Sequence, residues 1–445
     1  MNQGRADGGV SKLQNFGAAL VVLAIAASLA APLLGNQTAV SLTLLLVVAA
    51  ILLIGRSYGA FSPIVMVVSV SALYALAPGI GILTHAERPL IDPGLYFSLA
   101  LPLCLLYFLA MLLTYEFQRK RGRWTLAVAT RLPKGKRLMF VAFAGVVGSL
   151  IYLYSINSDV GLTVAKFDRG EQQLVLTTRS AVLVMLAAAG SLYGLGNWSL
   201  GWQAGKRYHW LTKLLLLAGV GIFAFTSVLV LGDRRIFLST MAGVIAISNP
   251  GRRLVRTLLL AVPVGYFSLA LYAGFRGAPL HEWAERYEQM DFAVLLDPSQ
   301  GEFGGWARIA QAVLSRPFAE IADLTFAKAP LSVIPSFLAP DRPLAPSVWF
   351  VRTFDPETAA RGGAWAFSLV VESFMNFWLL GPVLLGFVVG LLVARLERST
   401  MPRLLVVFVL TFSFRSDLVS IIQQTGWTLV FVSLFYVISR GIRVR

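Results

Sequence analysis

Two short arginine motifs in the second half of the chain are suited to binding a phosphate-rich ligand. The first is the Gly-Asp-Arg-Arg turn at 232–235, between two apolar stretches, and the second is Gly-Phe-Arg-Gly at 274–277. A planar guanidinium matches phosphate oxygens in a two-pronged geometry, and flanking glycines let a ligand approach the backbone. We therefore expect Arg234, Arg235 and Arg276 to bind phosphate. The structural alternatives are arginines that extend to lipid headgroups and, for Arg276, an ordinary helix end capped by glycine.

Acid–base chemistry has two candidate side chains. Glu372 stands early in an apolar block, where desolvation would raise its pKa towards neutrality and make it a general base. An ion pair with an arginine is the structural alternative for Glu372. His281 begins an acidic stretch with Glu282 and Glu285 and is the second candidate base, although it also fits an ordinary surface histidine.

A further charged segment, Arg-Ser-Asp at 415–417, lies near the end of another apolar block. Arg415 could bind phosphate as Arg234 and Arg276 do. The structural alternative is an internal pair of Arg415 with Asp417 at a helix end.

The elements that position these groups are membrane helices. Of 445 residues, 57% are hydrophobic and only 13% are charged, whereas ordinary globular chains carry about 25% charged residues. The apolar residues form blocks of about 17–24, which match a hydrocarbon core of roughly 30 Å. The sequence therefore predicts an all-α, polytopic membrane protein with about twelve transmembrane helices and one large, partly helical outer loop. The predicted spans are 17–35, 38–54, 60–83, 94–114, 138–156, 181–197, 210–231, 236–250, 257–273, 366–394, 404–422 and 426–439.

Three regions follow from this division of the chain. Residues 1–273 hold helices one to nine, 274–364 form the large loop, and 365–445 hold helices ten to twelve. The tenth block is long enough to contain a bent or re-entrant piece. In the loop, 281–291 and 306–314 are predicted helices, and 330–346, rich in proline, is predicted to be ordered coil.

The charge distribution predicts the orientation. With the N-terminus in the cytoplasm, the cytoplasmic segments hold 23 of the 38 Lys and Arg residues but 3 of the 22 acidic residues. This asymmetry follows the positive-inside rule and places both termini in the cytoplasm. It also assigns the net charge of +16 to topology and lipid headgroups, so membrane lipids are expected partners and nucleic acid is not.

Several kinds of site are excluded by the residues present. No nucleotide-binding glycine motif, zinc-type cluster or Gly-x-Ser-x-Gly elbow occurs in the chain. The three histidines, His85, His209 and His281, fall in separate segments, so no histidine metal site is expected. Cys104 is the only cysteine, which excludes a disulfide within the chain.

Five segments of this chain resemble the Wzy-type O-antigen and oligosaccharide repeat-unit polymerases. The turn at 232–235 resembles their Gly-x-Arg turn, and the glycine-flanked Arg276 resembles the residue that opens their large periplasmic loop. Residues 332–335 and 367–381 resemble their loop end and re-entry helix, with a Glu, an Asn-Phe pair and a Gly, and 414–417 resembles their late Arg/Asp segment. The resemblance covers about 230–420. Arg235 departs from the small residue usual at its position, so Arg234 and Arg235 both remain candidates.

The resemblance implies a bacterial inner-membrane glycosyltransferase that needs no metal or other cofactor. Its donor and acceptor would be undecaprenyl-pyrophosphate-linked oligosaccharides on the periplasmic face, and a chain-length regulator protein would be a further partner. The growing glycan would move to the non-reducing end of a fresh repeat unit. Glu372 or His281 would act as the base, the arginines would bind pyrophosphate, and the supporting residues would be Asp233, Asp417 and Asn376.

Two other classes of protein share parts of this pattern. An O-antigen ligase has the same general plan but transfers the glycan to lipopolysaccharide core. A transporter of polysaccharide or lipid would place ionisable groups at the membrane midplane, in repeated halves, whereas Glu372, Arg415 and Asp417 are predicted near the outer helix ends. The sequence therefore disfavours the transporter. The resemblance favours the polymerase, and the ligase stays open as the alternative, because only the acceptor distinguishes the two.

Overall fold

The structure is a computed structural model of the chain. It describes residues 6–59, 62–84, 91–121, 138–151, 172–225, 240–244, 283–292, 303–332, 341–360, 367–396, 414 and 416–440, except positions 142, 149, 204, 206, 242, 243 and 342. All regular structure in these residues is helical, so the predicted all-α class is confirmed for them.

The helices before the large loop are mostly long and apolar. They are α1 (Ala6–Leu29), α2 (Ala31–Leu34), α3 (Asn36–Tyr58), α4 (Pro63–Thr84), α5 (Pro93–Leu95), a π-helical turn (Tyr96–Ala100), α6 (Leu101–Arg121), α7 (Gln172–Gln203) and α8 (Trp210–Ala224).

The large loop and the segments after it contain shorter helices and one long one. The loop holds α9 (Trp283–Glu288), α10 (Gly305–Leu314), α11 (Phe318–Ile321), α12 (Thr325–Ser332), α13 (Pro346–Phe354) and α14 (Pro356–Ala360). They are followed by α15 (Leu369–Phe377), α16 (Leu380–Leu396) and α17 (Leu418–Arg440).

In the described part of the chain, four helices are long and apolar enough to cross a membrane: Asn36–Tyr58, Pro63–Thr84, Pro93–Arg119 and Leu418–Ile438. They correspond to the second, third, fourth and twelfth predicted spans. Shorter apolar helices include Phe16–Leu29, Trp210–Ala224 and Leu380–Leu396. The predicted spans 236–250, 257–273 and 404–422 fall largely outside the described residues, and the number twelve stays a prediction.

Three predicted boundaries are wrong. The last helix begins at Leu418 rather than near 426, because Asp417 caps it: the Asp417 carboxylate accepts the Ser420 amide at 2.7 Å. Helix α7 already begins at Gln172, inside the stretch 157–180 that separates the fifth and sixth predicted spans. Helix α12 continues through Pro330 to Ser332, because a proline in the last turn of a short helix interrupts few hydrogen bonds.

The tenth apolar block is not one continuous helix. Helix α15 ends at Phe377, and Trp378 takes a φ of 52°, a positive value that residues with a side chain rarely adopt and that does not continue a helix. Helix α16 then starts at Leu380, and a Cβ at Gly381 would collide with the Ser373 carbonyl. Glycine is therefore needed where α16 starts against α15. The tenth block is thus bent, as expected, and α15, with nine residues, is too short to span a membrane by itself.

A proline inside α4 marks a contact between the membrane helices and the large loop. Pro78 lies inside α4 and has no amide to offer the carbonyl of Tyr74, four residues earlier. The indole Nε1–H of Trp306, in loop helix α10, donates to that Tyr74 carbonyl at 2.7 Å. Trp306 is buried, with its ring edge-on to Phe414. The predicted helix at 306–314 is thus confirmed, and it is fixed against the membrane helices.

Candidate functional site

Glu372 is the centre of a buried polar cluster that joins three distant segments. It lies in the first turn of α15 with no exposed surface. Its Oε1 accepts the Thr325 hydroxyl of loop helix α12 at 2.9 Å, and its Oε2 accepts the Leu418 amide of α17 at 2.8 Å. Both carboxylate oxygens therefore receive a hydrogen bond, as a buried carboxylate requires.

Asn376 extends the cluster along the same face of α15, one turn after Glu372. Its side-chain amide donates to the Thr325 hydroxyl at 2.7 Å and to the Glu372 carbonyl at 2.8 Å. Its Oδ1 accepts the Phe326 amide at 3.0 Å. Because the Thr325 hydroxyl accepts from Asn376, its single proton is directed at Glu372.

Asp417 lies beside Glu372 and caps α17. One of its oxygens accepts the Ser420 amide, and the other accepts the Ser347 amide, at the start of α13, at 3.1 Å. Two loop helices are therefore tied to the cluster. Helix α12 is hydrogen-bonded to α15 through Thr325 and Glu372, and α13 is hydrogen-bonded to the start of α17 through Ser347 and Asp417.

The electrostatics of the cluster oppose ionisation of Glu372. Helix α15 is not one of the membrane-spanning helices, but burial there, together with the negative charge of Asp417, raises the pKa of Glu372 to about 8. The hydrogen bonds from Leu418 and Thr325 act in the opposite direction and favour the carboxylate. A carboxyl group with such a pKa can accept and release a proton near neutral pH.

A second buried hydroxyl lies four residues before Glu372 in the chain. Ser368 precedes α15, and its carbonyl accepts the Glu372 amide at 2.9 Å. Its side chain is fully buried, and its Oγ has no hydrogen-bond partner in the described part of the chain. The Ser368 hydroxyl is thus a donor that a ligand or a neighbouring segment could engage.

The structure brings together three of the predicted site residues: Glu372, Asn376 and Asp417. Six others lie outside the described residues: His281, Asp233, Arg234, Arg235, Arg276 and Arg415. Their convergence on one site therefore stays a prediction.

Sequence reasoning missed Thr325 and the Leu418 amide, the two donors to Glu372. Thr325 is 47 positions from Glu372, and threonine near the start of a short helix is common. No local pattern singles it out. The amide of Leu418 could have been found only if the start of α17 had been predicted correctly.

Comparison with known proteins adds no family assignment: no protein-family model, curated protein or solved structure matches this chain. Over the residues that the structure describes, the fold is all-helical and includes helices long enough to cross a membrane. The site itself is a buried carboxyl group with a raised pKa, enclosed where the large loop meets the helix ends.

Proposed function

We propose that this chain is a polymerase that joins undecaprenyl-pyrophosphate-linked oligosaccharide repeat units into a surface polysaccharide at the periplasmic face of the bacterial inner membrane. The observation that carries the proposal is the buried Glu372–Thr325–Asn376 cluster. It supplies a carboxyl group of near-neutral pKa, and it does so at the glutamate that the family resemblance marks as the base.

The proposed reaction transfers the growing glycan from its lipid carrier to a fresh repeat unit. A hydroxyl at the non-reducing end of the acceptor attacks the anomeric carbon of the donor and forms the new glycosidic bond. The bond from that carbon to the pyrophosphate oxygen breaks, and the pyrophosphate leaves with the electron pair. The hydroxyl proton passes to the Glu372 carboxylate, which later releases it to water.

The Thr325 hydroxyl marks the position of the acceptor in this proposal. It points a proton at Glu372 Oε1 from 2.9 Å, which is the geometry that an acceptor hydroxyl needs for proton transfer. Glu372 is fully enclosed, so the acceptor replaces Thr325 only when α12 moves away from α15. Asn376 remains bonded to the Glu372 carbonyl and holds the end of α15 during that exchange.

Arginines take the part that a metal ion plays in many other transferases. Pyrophosphate is a good leaving group when its developing charge is neutralised, and guanidinium groups can do this by paired hydrogen bonds. We assign this role to Arg234 or Arg235, Arg276 and Arg415, with Asp233 and Asp417 orienting them. His281 is the alternative base in the same scheme.

Deletion of the gene, followed by gel analysis of the surface polysaccharide, tests the proposal. A polymerase mutant attaches single repeat units and makes no ladder, and re-expression of the chain restores the ladder. An O-antigen ligase mutant would lose all attached glycan. Loss of all glycan, or an unchanged ladder, contradicts the assignment as a polymerase.

A further inference from the structure

A patch of exposed apolar side chains surrounds the turn between α15 and α16. Leu380 is 68% exposed, Trp378 is 53% exposed, and Phe377 and Leu379 are also exposed. The patch continues along one face of α16 through Leu384, Phe387 and Val388. Exposed apolar surface of this extent needs a covering in solution. We call the turn residues 377–380 the apolar turn.

The register between α16 and α6 fixes the depth of the apolar turn. A Cβ at Gly386 would touch Tyr107 and Ala110, and one at Gly390 would touch Met111, so the two helices run parallel. Counting back from Gly386 places Leu380 level with about residue 102 of the Pro93–Arg119 span. At 1.5 Å per residue, Leu380 lies roughly 13 Å below Pro93.

This depth is within the hydrocarbon core even under the least favourable placement of the membrane. The Pro93–Arg119 helix has 27 residues and is about 40 Å long, which exceeds a core of roughly 30 Å by about 10 Å. If the whole excess projected at the Pro93 end, the apolar turn would still lie about 3 Å below the core boundary.

Part of the large loop lies against the apolar turn. The Asp323 amide donates to the Met375 carbonyl at 3.3 Å. The rings of Phe318 and Trp378 are 6.3 Å apart, and those of Phe326 and Phe377 are 5.9 Å apart. Between these contacts Leu324 is 62% exposed, so a leucine of the loop lies at about the level of the apolar turn.

The charged groups near Leu324 are compatible with a position at the membrane surface. Lys328 is on the exposed side of α12 and pairs with Asp323 at 2.5 Å. Leu331, one turn further along α12, is also exposed. A lysine at the edge of an apolar face can extend its ammonium group to the headgroups while its stem stays among lipid chains.

We propose that the loop segment 324–331 is inserted into the bilayer, with Leu324 and the apolar turn covered by lipid acyl chains. The large loop is then partly a membrane element. Thr325, which follows Leu324 in the chain and begins α12, donates the hydrogen bond to Glu372. The insertion brings the Glu372 cluster to the depth at which a lipid-linked molecule presents its headgroup.

Single-cysteine labelling in vesicles of phosphatidylethanolamine and phosphatidylglycerol tests this insertion. The native Cys104 is fully buried, so the unaltered chain, treated with the same nitrobenzoxadiazole reagent, serves as the blank. Leu324→Cys is compared with Leu380→Cys as the lipid-exposed reference. Glu288→Cys, in an acidic and exposed loop helix, is the water-exposed control.

We expect the label at Leu324 to emit at shorter wavelength than the label at Glu288. The fluorescence of the label at Leu324 should be quenched by doxyl-labelled lipid, as it is at Leu380, and should not be quenched by iodide in the buffer. Quenching by iodide to the same extent as at Glu288 would overturn the proposal. A label that neither quencher reaches would also overturn it, because a second copy of the chain or another protein would then cover the patch.

Discussion

Replacement of Glu372 by glutamine separates a catalytic role from a structural one. In the folded chain the pKa of Glu372 is raised from 4.5 to about 8. Between these values the folded chain retains a proton that the unfolded chain has lost, so the free energy of unfolding falls as the pH rises. The loss between pH 5 and pH 8 is roughly 3–4 kcal/mol for a group with these two pKa values.

Glutamine removes this pH dependence and retains the hydrogen bonds. Its amide oxygen can accept the Leu418 amide, and its NH2 group can donate to the Thr325 hydroxyl, which has a second acceptor site. We therefore expect Glu372→Gln to be inserted in normal amount and to be more resistant to unfolding than the wild type at pH 8. The advantage should shrink towards pH 5.

The assay is thermal unfolding in detergent at pH 5, 6.5 and 8, followed by tryptophan fluorescence. Glu288→Gln, which changes an exposed loop carboxylate, is the matched control and should show no such trend. In cells, Glu372→Gln should leave single repeat units without a ladder. A lower abundance and an earlier unfolding of Glu372→Gln at pH 8 would refute the reasoning and indicate a structural ion pair.

Three further predictions concern the fold. Trp306→Phe leaves the Tyr74 carbonyl without its indole donor and should destabilise the chain by about 1–3 kcal/mol. The loss of stability should be smaller in a Pro78→Ala background, because alanine at position 78 supplies a helix amide to the Tyr74 carbonyl. Equal losses in both backgrounds would contradict the coupling of Pro78 to Trp306. Gly386→Ala places a Cβ against the Tyr107 carbonyl and should reduce the amount of folded protein in an expression assay. Gly426 has open space around it, so Gly426→Ala should be tolerated. Equal effects of the two substitutions would contradict close packing of α16 on α6. Cysteines introduced at 122 and 301 should be labelled from opposite sides of the membrane, and labelling of both from one side would refute the predicted topology.

The hydrophobic pattern predicts the long helices well and the polar connections poorly. Helices α3 and α4 and the Pro93–Arg119 span follow from uninterrupted apolar blocks, because twenty apolar residues have few alternatives to a membrane helix. The start of α17 was misplaced, because Gln423 and Gln424 lie inside that helix and interrupt the apolar pattern that marks a span.

Contacts between distant segments account for the rest of what sequence could not predict. Pro78 within a predicted span indicates that a carbonyl needs a donor from elsewhere. The donor, Trp306, is 232 positions from Tyr74, and nothing local connects the two. The desolvation of Glu372 was predicted from its apolar neighbours, but its bond to Thr325 depends on how the loop folds back over α15.

The most direct test of the central claim is polymerisation by the purified chain. The protein is reconstituted in vesicles with a synthetic undecaprenyl-pyrophosphate-linked repeat unit, and the products are separated by size, with and without a metal chelator. We predict a ladder of lengthening glycans that persists in the chelator, is made faster as the pH rises towards about 8, and is absent with Glu372→Gln. Recovery of unextended repeat units from the wild-type chain would contradict the account.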